Sequence, residues 1–218
     1  MMMRHTGHSI LLLLCVGVTG CGDSLPGSKS AYSDVGDDGI IFKDEVVSNV
    51  PLESKLNDLK FIKPDGQEQS LSDLFTRDHL ILVITRGYAG SICPYCSSQT
   101  SRLIHNYQKF ADRNAEVVVV YPLEKPADTP RLDEFLKAVQ ERTTPPVQKV
   151  PFPVLLDVEL KAVDHLGIRA SLSRPATYIL DKSGQIRFAY VGATLADRPS
   201  VKALLDQLDQ LNAEGAGE

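Results

Sequence analysis

The strongest constraint in this chain lies between residues 80 and 111. An uninterrupted apolar run, Leu80-Ile81-Leu82-Val83-Ile84, precedes two cysteines two residues apart, Cys93-Pro94-Tyr95-Cys96. Leu103, Ile104, Tyr107, Phe110 and Ala111 then recur at helical spacing. A run of strand length without polar alternation is what a strand covered on both faces requires. Proline is favoured at the first position of a helix, where its missing N–H has no intrahelical partner. The helix is therefore expected to begin around Pro94, with Cys93 at or near its N-cap. Unpaired backbone N–H groups and the helix dipole favour a thiolate there and lower its pKa below the free value of about 8.5. Cys96, one turn further in, is expected to be less exposed and within reach of Cys93. The chemistry this predicts is attack by Cys93 on a disulfide and resolution of the mixed disulfide by Cys96.

The rest of the chain alternates in the same manner. Residues 59–62 read as a short strand running into the turn Pro64-Asp65-Gly66. Residues 117–121 read as a buried strand ended by Pro122. Leu132, Phe135, Leu136 and Val139 mark an amphipathic helix, followed by a proline-rich loop, a short strand at 154–156 and a short helix at 160–166 stopped by Gly167. Residues 176–180 and 186–191 flank Asp181-Lys182-Ser183-Gly184, a hairpin signal with glycine where φ is positive. Val201, Leu204, Leu205, Leu208 and Leu211 share one face of a last helix. The pattern predicts an α/β domain over residues 52–214, with a central mixed sheet flanked by helices.

The N-terminus has a different character. Arg4 precedes an apolar stretch over residues 10–18 that has the length of a signal-peptide core and is too short for an ordinary spanning helix. Val18-Thr19-Gly20-Cys21 resembles a bacterial lipobox, in which cleavage precedes the cysteine and the cysteine takes the lipid. The alternative is a plain signal peptide that leaves Cys21 as a free thiol. The expected division is a signal peptide over 1–20, a lipidated Gly-, Ser- and Asp-rich tether over 21–51, and the domain after it. Ile40-Ile41-Phe42 is apolar enough to find a groove. The expected location is outside the cytoplasm, on a membrane facing the periplasm or another extracytoplasmic space, through the anchor at Cys21.

Cysteine arithmetic then isolates one pair. Of the four cysteines in the 218 residues, Cys15 leaves with the signal and Cys21 is consumed by acylation, so any internal disulfide joins Cys93 to Cys96. So small a loop restricts the unfolded chain little, which argues for a chemical rather than a stabilising role. A structural zinc site would need two of His79, His105 and His165, none at finger-like spacing, so no metal is expected. No cofactor is called for either, because the redox group is the cysteine pair itself. The net charge of −5 is spread along the chain without basic runs, which argues against a nucleic-acid partner.

Residues 80–96, with Ile84-Thr85-Arg86-Gly87-Tyr88 leading into the cysteines, resemble the AhpC/TSA branch of the thioredoxin superfamily. The resemblance continues through Phe152-Pro153-Val154-Leu155-Leu156-Asp157, Leu166-Gly167-Ile168, and Arg174-Pro175-Ala176-Thr177-Tyr178-Ile179-Leu180-Asp181 with Gly184. It covers about residues 52–212 and implies a thioredoxin-like fold. It also implies that Pro175 is the superfamily's cis-proline, lying against the dithiol and offering backbone groups to a substrate chain. The other reading of Pro175 is an ordinary proline at a strand start.

Relatives in this branch do two jobs. Peroxidases carry Pro-x-x-x-Thr-x-x-Cys, and here Arg86 stands at the proline position and Gly90 at the threonine position. Extracytoplasmic thioredoxins carry a CxxC and exchange electrons with disulfides, which fits this chain better. The expectation is a thiol–disulfide oxidoreductase acting on protein or small-molecule disulfides. The alternatives are a peroxidase using peroxide and a thiol electron donor, and a redox-switched binding module. Arg86 and Arg174 lie in segments expected to converge on the dithiol, where a guanidinium would stabilise a thiolate or a polarised peroxide. Pro94 and Tyr95 complete the expected site.

Overall fold

The computed structural model describes residues 40–215. The strands are β1 (Lys60–Ile62), β2 (Glu68–Ser70), β3 (His79–Ile84), β4 (Ala115–Leu123), β5 (Val154–Val158), β6 (Ala176–Asp181) and β7 (Ile186–Val191). The helices are α1 (Pro94–His105), α2 (Tyr107–Ala111), α3 (Arg131–Gln140), α4 (Lys161–His165) and α5 (Val201–Gly215). Among the described residues the strands form one 7-stranded sheet in the order β2-β1-β5-β4-β3-β6-β7. β3, β4 and β5 run parallel, while β6, β7, β1 and β2 add antiparallel at the two sides. This is the mixed sheet flanked by helices that the pattern predicts, in a thioredoxin-like arrangement.

Period-two alternation divides the apolar run of β3 between two cores. Ile81 and Val83 face the layer built from α1, α3 and α5, with Leu103, Phe135, Leu205 and Leu208. Leu80, Leu82 and Ile84 face the opposite layer with Leu71, Val163 and Ile168. Both faces of the central strands are dry, which is why the run carries no polar residue.

Several boundaries differ from the sequence reading. Pro122 does not end its strand: β4 continues to Leu123, with Pro122 opposite Asp157 in β5. β3 has already stopped at Ile84, opposite Val120, so the missing N–H of Pro122 costs no ladder bond there. The helical spacing after the cysteines spans two helices. Asn106 interrupts it by turning its side-chain amide onto the Arg102 carbonyl at 2.9 Å, a local competition with the backbone typical of asparagine. β2 is polar throughout and gave no apolar signal; it is recruited as an edge partner by β1.

Residues 40–51 lie against the domain. The Lys43 amide donates to the Arg198 carbonyl at 2.9 Å, and the Ser200 amide donates to the Lys43 carbonyl at 2.8 Å. Asn49 exchanges main-chain and side-chain bonds with Ala189 and Val191 of β7. Phe42 is buried beneath the Arg102 guanidinium, 4.6 Å from ring centroid to carbon. Signal, lipobox and the earlier part of the tether fall outside the described residues.

The loop from β3 to α1 is pinned at Gly87. Its φ is +87°, and a Cβ there would sit 2.1 Å from the Pro122 carbonyl oxygen, the same oxygen that accepts the Tyr88 amide at 3.1 Å. Gly66 also has positive φ, at +85°, but faces open space. Gly66→Ala is expected to cost about 1–2 kcal/mol of backbone strain. Gly87→Ala should cost clearly more, because the Pro122 backbone must also move. Denaturant unfolding of the two variants decides this, and equal losses would show that the Pro122 contact does not fix the loop.

Candidate functional site

The cysteines sit where the sheet hands the chain to α1. Cys93 is the N-cap, with extended backbone (φ −73°, ψ 118°), and Pro94 is the first helical residue. The Ser97 amide closes the first turn on the Cys93 carbonyl at 3.1 Å. Cys93 is 4% exposed and Cys96 0%, and both are thiols rather than a disulfide. The Cys93 side chain makes no capping bond of ordinary geometry. The amides of Tyr95 and Cys96 nevertheless face its sulfur and act on it as partial positive charges.

These surroundings separate the two sulfurs. The Cys93 thiol is pulled down to about 6, first by the Cys96 thiol, which donates to the thiolate; burial opposes this, and the neighbouring amides and Arg198 assist. The Cys96 thiol is pushed well above the ordinary range, mainly by burial and then by its role as donor to Cys93, with Arg198 opposing. At neutral pH the pair holds one negative charge on Cys93 and one proton on Cys96.

Arg198 was not foreseen from the sequence. It is 1% exposed and sits in the loop between β7 and α5. Nη2 lies 3.3 Å from Cys96 Sγ, Nη1 donates to Gln99 Oε1, and Nε donates to the Leu195 carbonyl at 2.7 Å. Among the described residues, no carboxylate bonds to this guanidinium. The neighbouring Asp197 is occupied by Lys43 at 2.7 Å, by the Tyr190 hydroxyl and by the Ala193 amide. Tyr121 was also missed. Its ring stacks on Phe135 with centroids 4.4 Å apart, and its hydroxyl is buried without a hydrogen-bond partner. Burial, reinforced by the nearby sulfur charges, raises its pKa.

The expected arginines behave differently from this. Arg86 and Arg174 do come to the same end of the sheet, since the Ser173 amide reaches the Arg86 carbonyl at 3.4 Å. The main-chain amide of Arg86 faces Cys96 Sγ, but its guanidinium is not bonded to either sulfur. The Arg174 side chain is exposed. Pro94 is exposed at the helix start, and Tyr95 is half-buried against the first core.

The expectation of a cis bond at Pro175 is corrected. The one cis peptide bond among the described residues is Thr144–Pro145, so Arg174–Pro175 is trans. The Arg174 amide is tied to the Ile168 carbonyl at 2.9 Å, and the Pro175 carbonyl accepts the Gly192 amide at 2.8 Å. These bonds lead Pro175 directly into β6, as a proline at a strand start with no N–H to leave unpaired.

The AhpC/TSA family model matches residues 52–189. The chain belongs to the AhpC/TSA family. Solved structures agree on the fold. The chain superposes on peroxidoxin BcpB of Mycobacterium tuberculosis with a TM-score of 0.56 at 15% identity, covering 77% of this chain and 98% of that one. For a yeast mitochondrial 1-Cys peroxiredoxin the score is 0.63 at 13% identity, covering 77% and 78%. For AhpC of Mycobacterium tuberculosis it is 0.55 at 17% identity, covering 76% and 94%. No curated relative matches the sequence. As a member of this family the protein is an oxidoreductase that works through thiol chemistry.

The lowered Cys93 pKa has a direct consequence. The thiolate is the nucleophile, so alkylation of the reduced protein by iodoacetamide should rise with pH through a midpoint near 6. Cys96→Ala removes the largest cause of that shift and should move the midpoint upward. A midpoint that stays near 6 in Cys96→Ala would show that the donor to Cys93 lies elsewhere.

Proposed function

We propose that the protein is an extracytoplasmic thiol–disulfide oxidoreductase that exchanges electrons with protein or small-molecule disulfides. The observation that carries this is the division of labour within one helical turn: a thiolate-biased Cys93 with a protonated Cys96 directly behind it. Cys93 attacks the substrate disulfide and forms a mixed disulfide. Cys96 then attacks Cys93, releasing the second substrate thiol and leaving the Cys93–Cys96 disulfide. Burial of both sulfurs alone would suit a dithiol that only switches conformation. The depressed pKa of Cys93 supports reactivity instead.

The peroxidase reading has support of its own: the AhpC/TSA family match and the peroxiredoxins that share the fold, and the guanidinium of Arg198 beside the pair, because Cys93 could form a sulfenic acid that Cys96 condenses with. The side chains around the nucleophile favour disulfides. Gly90 places no hydroxyl at the position where family peroxidases carry threonine. Thr85 spends its hydroxyl on the Val120 carbonyl at 3.0 Å, Thr100 on the Cys96 carbonyl at 2.9 Å, and Ser97 on the carbonyls of Cys93 and Pro94.

A paired assay on the reduced protein separates the readings. One arm follows reduction of a protein disulfide such as insulin, and the other follows consumption of hydrogen peroxide with dithiothreitol as donor. Disulfide reduction should dominate, Cys93→Ser should abolish it, and Cys96→Ser should accumulate a mixed disulfide visible by intact mass. Fast peroxide turnover with negligible disulfide reduction would overturn the assignment.

We also propose export and lipidation at Cys21, on the strength of the apolar stretch over residues 10–18 followed by Gly20-Cys21. In a bacterial host the full chain should fractionate with membranes and Cys21→Ala should not. A Cys21→Ala protein that stays in the membrane fraction would sink the lipid anchor.

A further inference from the structure

The site holds a cation that the two-cysteine scheme leaves without a task. Arg198 reaches the sulfur that does not attack the substrate. Its Nη2 is 3.3 Å from Cys96 Sγ, and its other donors are fixed by Gln99 and the Leu195 carbonyl. A guanidinium this deeply enclosed, with neutral dipoles as its other partners, is most stable when negative charge lies beside it. In the resting dithiol that charge is on Cys93. Once Cys93 is tied up in a mixed disulfide its charge is gone, and the sulfur left facing Arg198 is Cys96.

We propose that Arg198 is the residue that activates Cys96 for the resolving step, holding the thiolate that forms there after Cys93 has captured the substrate. This deepens the disulfide-exchange reading and rests on it. In the first half-reaction the Cys93 thiolate forms a bond to one substrate sulfur and the other leaves as a thiolate. Cys96 then loses its proton to that departing thiolate or to solvent, and its charge settles against Arg198. The Cys96 thiolate attacks Cys93 Sγ, the Cys93–substrate bond breaks, and the second substrate sulfur leaves with the electron pair. The substrate disulfide gains two electrons and the dithiol loses two.

The groups around Cys96 support this sequence. On its own helix, the Cys93 charge is what holds the Cys96 proton in the resting state, and capture of substrate removes it. From the β3–α1 loop comes the Arg86 amide, which favours the thiolate. From β4 comes the Tyr121 hydroxyl, which burial keeps protonated. From α3 the apolar ring of Phe135 stacks on Tyr121 in the same core cluster as Cys96, while Glu134 of the same helix pairs with Arg131 at the surface. Burial opposes ionisation of Cys96, and among the described residues Arg198 is the full positive charge set against it. The order of events follows: Cys96 is an inert thiol until Cys93 is occupied, which protects the free dithiol from unproductive attack by Cys96.

The test isolates resolution from capture. Reduced protein is mixed with a disulfide carrying a chromophoric leaving group, 5,5′-dithiobis(2-nitrobenzoic acid), and release of the first and second thiolate is followed by stopped flow across pH. In the wild type the second release should rise at lower pH than in Arg198→Met, since burial raises the Cys96 thiol in both and the guanidinium offsets it only in the wild type. Arg198→Met should slow the second release at pH 7 by at least about tenfold, the equivalent of one unit in the Cys96 pKa, and slow the first release much less. The two proteins should converge at high pH, where hydroxide ionises Cys96 without help. A loss through misfolding would not recover in that way. Arg198→Ala should regain the second release with millimolar guanidinium and not with sodium chloride. If Arg198 variants do not fold, the wild-type profile alone decides: a second release still rising above about pH 9.5, beyond the free thiol value, overturns the proposal. Normal second release in Arg198→Met would also overturn it while leaving the disulfide-exchange reading intact. Absence of the first release in the wild type would sink that reading itself.

Discussion

A guanidinium enclosed with a sulfur as its partner governs much of this fold. Taking a cation out of water costs several kcal/mol even after relaxation, and the Leu195 carbonyl and the Gln99 amide oxygen offset that only with dipoles. The remaining compensation is the negative charge of the dithiol, on which Arg198 acts at both sulfurs. Segments distant in the chain are held in place to keep Arg198 there. Gly192 carries no side chain because a Cβ would lie 2.1 Å from the Asp197 carbonyl oxygen. The Asp197 carboxylate gathers Ala193, Tyr190 and Lys43, which closes the loop on itself. The backbone of Lys43 then bonds to both Arg198 and Ser200, so the segment entering the domain fastens the loop from outside.

The helix beside this cation, α1, has an unusual composition. Ser97, Ser98, Gln99, Thr100 and Ser101 are all buried, where a core helix would ordinarily show leucine or valine. Polar groups in an interior are tolerated when each finds a partner. Ser97, Thr100 and Ser101 turn their hydroxyls onto carbonyls of their own helix, and Gln99 is spent on Arg198. Back-bonding of this kind weakens a helix slightly. The apolar grip comes further along, where Leu103 and Ile104 enter the core. The first turns of α1 thus satisfy their polar side chains within the helix and, at Gln99, through Arg198, and the later turns are held by packing.

This division explains what could be read from the sequence. β3 was legible because a strand dry on both faces must be apolar throughout, and the start of α1 was legible because Pro94 marks a first helical turn. The nucleophile at the helix start followed from those two facts alone. Arg198 was not legible, because it meets Cys96 across 102 residues, and its local surroundings say only that a helix starts after it, with Ser200 capping the Ala203 amide at 3.1 Å. Arg86 and Arg174 drew attention because they are near the cysteines in sequence or in the resembled motif. Their backbones do converge, but a side chain at a strand end is free to turn toward water, as Arg174 does. Pro175 was placed at the correct end of the sheet and given the wrong isomer, because the bonds of Arg174 to Ile168 and of Pro175 to Gly192 are tertiary and leave no local trace. β2 was invisible for a different reason: its three residues are all polar and carry no apolar period.

The enclosure also bears on which bond the dithiol can open. When Cys93 bonds to one peroxide oxygen and the O–O bond breaks, the departing oxygen needs a donor aimed at it, since electrostatic help is effective when the donor is already in place as charge develops. Around this nucleophile the hydroxyls of Thr85, Ser97 and Thr100 are committed to carbonyls and position 90 has none to offer, which leaves the buried Tyr121 hydroxyl as the unpaired one among those named. A departing thiolate is softer, spreads its charge over a larger atom and leaves more readily at its own lower pKa, so it depends less on such a donor. The fixed cation bonds to Cys96 and is placed to favour charge on the enzyme's own second sulfur. An arrangement that offers little to the leaving group and much to the resolving thiol suits a partner whose leaving group is already good, which is the property of a disulfide.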